Sequence, residues 1–78
     1  MNHTAYLSLG TNLGDKEHNL LSAISEIRRR IGPVKAQSAF LATRPWGFES
    51  PHTFLNAAIR IETALSPLDL LHQTQQIQ

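Results

Sequence analysis

Phe54 and Asn56 stand two residues apart in a segment where Leu55, Ala57, Ile59 and Ile61 alternate with Phe54, Asn56, Arg60 and Glu62. On a strand that spacing puts the ring and the carboxamide on one face, opposite the apolar one. Together they offer a stacking surface and a donor–acceptor pair able to read a flat heterocycle. The same pair also fits a plainer role, with Phe54 packed beneath the following helix and Asn56 satisfying a backbone group. Upstream, Gly10-Thr11-Asn12-Leu13-Gly14 lies where a phosphate-binding loop would lie, between a strand and a helix. It has neither the GxGxxG spacing nor the Lys-Ser/Thr of a P-loop, so a tight turn with Gly and Asn at positive φ is the favoured reading. His3, His18, His52 and His72 are scattered, without His-x-x-x-His or His-carboxylate spacing, and metal ligation is not expected.

Positioning these residues requires a small set of elements. Residues 5–9 alternate with Ala5, Leu7 and Leu9 on one face and read as a strand. Asp15 caps a helix whose apolar stripe is Leu20, Ile24, Ile27 and Ile31, and Gly32-Pro33 ends it. Residues 34–43 read as a second strand. Residues 44–52 form a Pro-punctuated loop carrying Trp46 and Phe48, expected to be mobile without ligand and to close over it. The third strand follows, and then Ser66-Pro67-Leu68-Asp69 supplies a cap, a proline at the first helical position and an acid in the first turn. Leu70, Leu71, Thr74 and Ile77 continue that helix to Gln78, with no stop signal after it. The order β-α-β-β-α gives an α/β (α+β) class, a ferredoxin-like layer that reads as cut before its final strand.

Composition narrows the possibilities further. A single domain of 78 residues buries only about 60–65% of the surface its unfolded chain exposes. With no cysteine, neither a disulfide framework nor a thiolate metal site adds support. Self-association is the first remedy to consider. The net charge of +1 leaves no electrostatic footprint for nucleic acid or anionic lipid, and Arg28-Arg29-Arg30 reads as a solvated last helical turn. No apolar run approaches the roughly 20 residues of a membrane span, and the N-terminus lacks the pattern of a signal peptide, so a cytoplasmic setting is expected.

Four short blocks in register carry a resemblance. Tyr6-x-x-x-Gly10-Thr11-Asn12-Leu13-Gly14-Asp15, Thr43-Arg44-Pro45-Trp46-Gly47, Phe54-Leu55-Asn56-Ala57-Ala58 and Leu70-Leu71-x-x-Thr74-Gln75 are similar, in order and spacing, to the N-terminal half of 6-hydroxymethyl-7,8-dihydropterin pyrophosphokinase of folate biosynthesis. The resemblance implies pterin contacts at Gly10, Thr43, Pro45, Trp46, Phe54 and Asn56, with Leu71 and Gln75 against the adenine end of ATP. The activity it implies is ATP-dependent pyrophosphoryl transfer to the hydroxymethyl group of the dihydropterin, with no nucleic-acid or membrane partner.

The departures matter too. Arg44-Pro45 replaces a frequent Pro-Pro, and Gln78 falls where many members carry Glu. The family's Arg-Trp-Gly-x-Arg segment and its magnesium-holding Asp-x-Asp have no counterpart here. The expectation is therefore a pterin-recognition half without catalytic residues of its own, with magnesium bound only together with the missing half, and inactive alone. A homodimer through the first strand would cover the open edge. The alternative is a non-catalytic ferredoxin-like module for ligand binding or dimerisation, and a weaker one has a second polypeptide supplying the rest.

Overall fold

The computed structural model describes residues 2–43 and 53–77. In chain order the elements are β1 (His3–Thr11), α1 (Lys16–Arg30), β2 (Val34–Gln37), β3 (Leu41–Thr43), β4 (Phe54–Thr63) and α2 (Pro67–Ile77). All strand pairing is antiparallel: β4 lies between β1 on one side and both β2 and β3 on the other. This mixed α/β arrangement, among the described residues one antiparallel sheet of four strands with two helices, is compatible with the ferredoxin-like layer.

Alternation along β4 decides where the core sits. Ala57, Ile59, Ile61 and Thr63 are buried, and Ile59 and Ile61 join Ile24, Ile27 and Ile31 in one apolar cluster. The α1 stripe therefore packs on the face of β4 that its sequence period points inward. Leu7 and Leu9 on β1, Val34 on β2, and Leu70 and Ile77 on α2 pack around this cluster. Thr63, the one buried polar residue in the described core, is satisfied: its Oγ1 donates to the Ile31 carbonyl at 3.0 Å and accepts from the Leu65 N–H at 3.1 Å.

Local chemistry sets the helix ends. Asp15 Oδ1 accepts from the His18 N–H at 3.1 Å, capping α1 as its sequence predicts. Asn19 Nδ2 donates to the Leu13 carbonyl at 2.8 Å and ties down the preceding turn. At the other end, Glu26 accepts from Arg29 and Arg30 at 2.8 Å each, and Arg28, Arg29 and Arg30 are exposed in the last turn. The hydrogen bond from Arg29, with the nearby charges of both arginines, outweighs desolvation and holds the Glu26 carboxyl below its ordinary range. Ser66 Oγ accepts from the Asp69 N–H at 3.2 Å, so the Ser-Pro start of α2 also forms as read.

Three sequence readings are corrected. The first strand spans His3–Thr11, so Gly10 and Thr11 are strand residues paired with Asn56 and Leu55 and not part of the turn. The turn itself needs positive φ only at Gly14, at 59°; no non-glycine described residue, Asn12 included, adopts one. The single strand expected over 34–43 is two strands. One extra residue enters between Val34 and Ala36, and the three residues between Gln37 and Leu41 face the two between Ile59 and Asn56 on β4. In that gap Ser38 replaces the ladder: its N–H donates to the Ala58 carbonyl, and its Oγ accepts from the Ala58 N–H, both at 2.9 Å. The loop at residues 44–52 lies outside the described residues, and so does its expected mobility.

Candidate functional site: the open face of the sheet

The sheet face away from α1 carries Phe54 and Asn56 from β4, and direct partners across an antiparallel sheet share a face. Gly10 opposes Asn56 from β1, while Leu41 and Thr43 oppose Asn56 and Phe54 from β3. The insertion at residues 38–40 makes this possible. Had the β2 register continued, Leu41 and Thr43 would have turned to the core face and Ala42 to the open one. Because it shifts, Thr43 stands beside Asn56.

Asn56 is the hub of the group. Its Nδ2 donates to Thr43 Oγ1 at 2.6 Å and reaches the Leu41 carbonyl at a longer 3.4 Å. Its Oδ1 is turned toward Gly10, where a Cβ would stand 2.7 Å away. Glycine at position 10 is therefore a condition for this carboxamide orientation. With Nδ2 committed to β3, Oδ1 presents an acceptor at the open face, where no described donor reaches it. Phe54, 38% exposed, keeps a ring available beside this acceptor and is not packed beneath α2. The cluster thus combines an oriented acceptor, an accessible ring, and a flat floor where glycine leaves room.

Sequence reasoning alone did not find two further contributors. Leu41, 65% exposed, adds apolar surface next to Asn56, and only the register shift reveals its side. Lys16 Nζ donates to Thr53 Oγ1 at 3.0 Å and ties the start of α1 to the start of β4. No spacing signal could have shown that bond, which spans 37 residues.

The structure brings Gly10, Thr43, Phe54 and Asn56 together. Pro45 and Trp46 lie outside the described residues. Leu71 and Gln75 share an exposed side of α2, which packs on α1, and no described hydrogen bond joins them to the Asn56 group. Among the described residues no group of three or more His, Asp or Glu side chains could hold a metal ion.

Comparison with known proteins decides the family. The sequence profile of the 7,8-dihydro-6-hydroxymethylpterin-pyrophosphokinase family matches residues 6–78. The chain belongs to this family. A pyrophosphokinase relative from Porphyromonas gingivalis, 2-amino-4-hydroxy-6-hydroxymethyldihydropteridine pyrophosphokinase, is 54% identical over 74 residues, covering 94% of this chain and 50% of the relative. The enzyme of the same name from Bacillus subtilis is 40% identical over 79 residues, covering 100% of this chain and 47% of its own length. A folic acid synthesis protein from Schizosaccharomyces pombe is 37% identical over 78 residues, 11% of its length. This pyrophosphokinase-family chain thus spans about half the length of the two bacterial relatives. The family match includes every residue of the open-face cluster.

Proposed function

We propose that the open face formed by Gly10, Thr43, Phe54 and Asn56 binds the pterin ring of 6-hydroxymethyl-7,8-dihydropterin, and that the protein serves pyrophosphoryl transfer from ATP to its hydroxymethyl group. The observation that carries this reading is the fixed carboxamide of Asn56, whose Nδ2 is held by Thr43 at 2.6 Å and whose Oδ1 faces the space left by Gly10. A pterin edge offers N–H donors in the plane of the ring. An acceptor held in advance beside an aromatic face recognises such an edge at a low ordering cost. Phe54 stacks on the ring, and Pro45 and Trp46 complete the contacts from the neighbouring segment.

Leu71 and Gln75, one helical turn apart on α2, contact the adenine end of ATP in this reading. Magnesium would supply charge stabilisation on the transferred phosphates. The described residues include no set able to hold it. No described helix is long and apolar enough to cross a membrane, and a cytoplasmic setting accompanies the proposal. Residues 1–78 act as one pterin-recognition unit in this reading.

Self-association belongs to the same reading. Among the described strands β1 pairs only with β4, and its other edge carries neither Lys nor Pro to discourage pairing. Beside it runs a groove of about 680 Å³ whose lining includes Leu9, Leu20, Ile27, Thr74 and Ile77. A second copy adding its own β1 would cover both backbone edge and groove. Sedimentation at micromolar concentration should give a dimer; a stable folded monomer contradicts it.

Titration of the ¹⁵N-labelled protein with 6-hydroxymethyl-7,8-dihydropterin tests the site. Shifts centred on Gly10, Thr43, Phe54 and Asn56 are expected, with the Arg28–Arg30 turn unaffected. Saturable binding that leaves those four signals in place contradicts the assignment.

A further inference from the structure

Lys16 occupies the first position of α1, where the helix dipole disfavours a cation and where its neighbours Asp15 and Glu17 follow the usual acidic preference. It makes no ion pair among the described residues, whose salt bridges are those of Glu26 with Arg29 and Arg30. Instead its half-buried side chain crosses to β4 and donates to Thr53 Oγ1 at 3.0 Å. Thr53 directly precedes Phe54, and the adjoining pair Thr11–Leu55 closes the end of the β1–β4 ladder. Thr43 and Thr53 flank residues 44–52 in the sequence, and each accepts through Oγ1 from a nitrogen of another segment, Asn56 Nδ2 and Lys16 Nζ. Only the first of these bonds lies within the ring-binding cluster.

We propose that Lys16 is a positioning residue for that cluster: by holding Thr53 it fixes the entry into β4 and thereby the placement of the Phe54 ring beside Asn56. The inference rests on the pterin reading of the open face. Lys16 touches no ring in this account and acts through Thr53 alone. A charge-assisted bond to a hydroxyl is shorter and stronger than its neutral counterpart, and Arg can make it from the same helical position where Met cannot.

Calorimetry and thermal unfolding of four variants test this. Lys16→Met is expected to weaken 6-hydroxymethyl-7,8-dihydropterin binding about tenfold, with the unfolding temperature within a few degrees of the parent. Thr53→Val should match it, Lys16→Met combined with Thr53→Val should weaken binding no further, and Lys16→Arg should recover affinity to within about twofold. Parent-like affinity in Lys16→Met, additive losses in the double variant, or no recovery with Arg would each overturn the proposal. If the parent itself binds no pterin, the ring-binding reading fails and this inference falls with it. The clamp is then separately visible in amide shifts of Thr53 and Phe54 on Lys16→Met, with Ile59 and Ile61 unmoved. Unchanged shifts at Thr53 and Phe54 would show that no such clamp exists.

Discussion

Gly10 and Asn56 oppose each other across β1 and β4 so closely that a Cβ at Gly10 would lie 2.7 Å from Asn56 Oδ1. The carboxamide cannot swing away without cost, because its Nδ2 is bonded to Thr43 on the neighbouring strand. Gly10→Ala must therefore displace Asn56 from Thr43 or push β1 from β4. The expected outcome is a loss of about 1–2 kcal/mol in pterin binding, with a similar or smaller loss of stability. Parallel calorimetry and urea unfolding measure both, and parent-like pterin affinity would show that Asn56 orientation is not set by this contact.

A second glycine is constrained by backbone. A Cβ at Gly32 would stand against the Glu62 carbonyl oxygen and close to the Cα of Thr63, atoms of the central strand that cannot rotate aside. The helix exit and β4 would have to separate there, breaking the Thr63 bond to the Ile31 carbonyl. Gly32→Ala is expected to destabilise the fold by about 3 kcal/mol or more, read as a lowered urea midpoint at unchanged slope. An unshifted midpoint would mean that this approach is looser than described.

The Glu26 carboxyl gives a pH signature. The Arg29 hydrogen bond lowers its pKa in the fold, so its contribution is present above the unfolded pKa and fades as pH falls through the lowered folded value. Glu26→Gln should therefore narrow its stability difference from the parent as the solution is acidified below the ordinary carboxylate range. The effect is small because the pair is exposed on the last turn of α1. Thermal unfolding across that range measures it; a difference that grows on acidification would reverse the sign.

Where period and caps carry the information, the fold was legible in the sequence. The stripe of Leu20, Ile24 and Ile27 gave α1, Asp15 and Ser66 gave both helix starts, and the alternation through Ile59 and Ile61 gave β4 and its two faces. The break between β2 and β3 was not legible. Its cause is a serine whose side chain stands in for a backbone partner, and a one-residue shift leaves no trace in composition. That shift also governs the site, since it sets which face Thr43 shares. Spacing alone placed Phe54 and Asn56 together, but Gly10 and Thr43 joined them only through the family resemblance. The Lys16–Thr53 bond depended on tertiary closure across the sheet end and had no local signal.

The central claim is that Asn56 reads the pterin edge, and comparison of two ligands with Asn56→Ala addresses it most directly. Calorimetry with 6-hydroxymethyl-7,8-dihydropterin and with an analogue lacking the amide edge should show the parent preferring the pterin and the variant binding both alike. The expected loss of pterin affinity is about ten- to a hundredfold, the range for an unpaired polar contact of about 1–3 kcal/mol, since polar readout discriminates more sharply than apolar contact. Asn56→Ala protein that binds pterin as tightly as the parent, with the same preference over the analogue, would contradict the account.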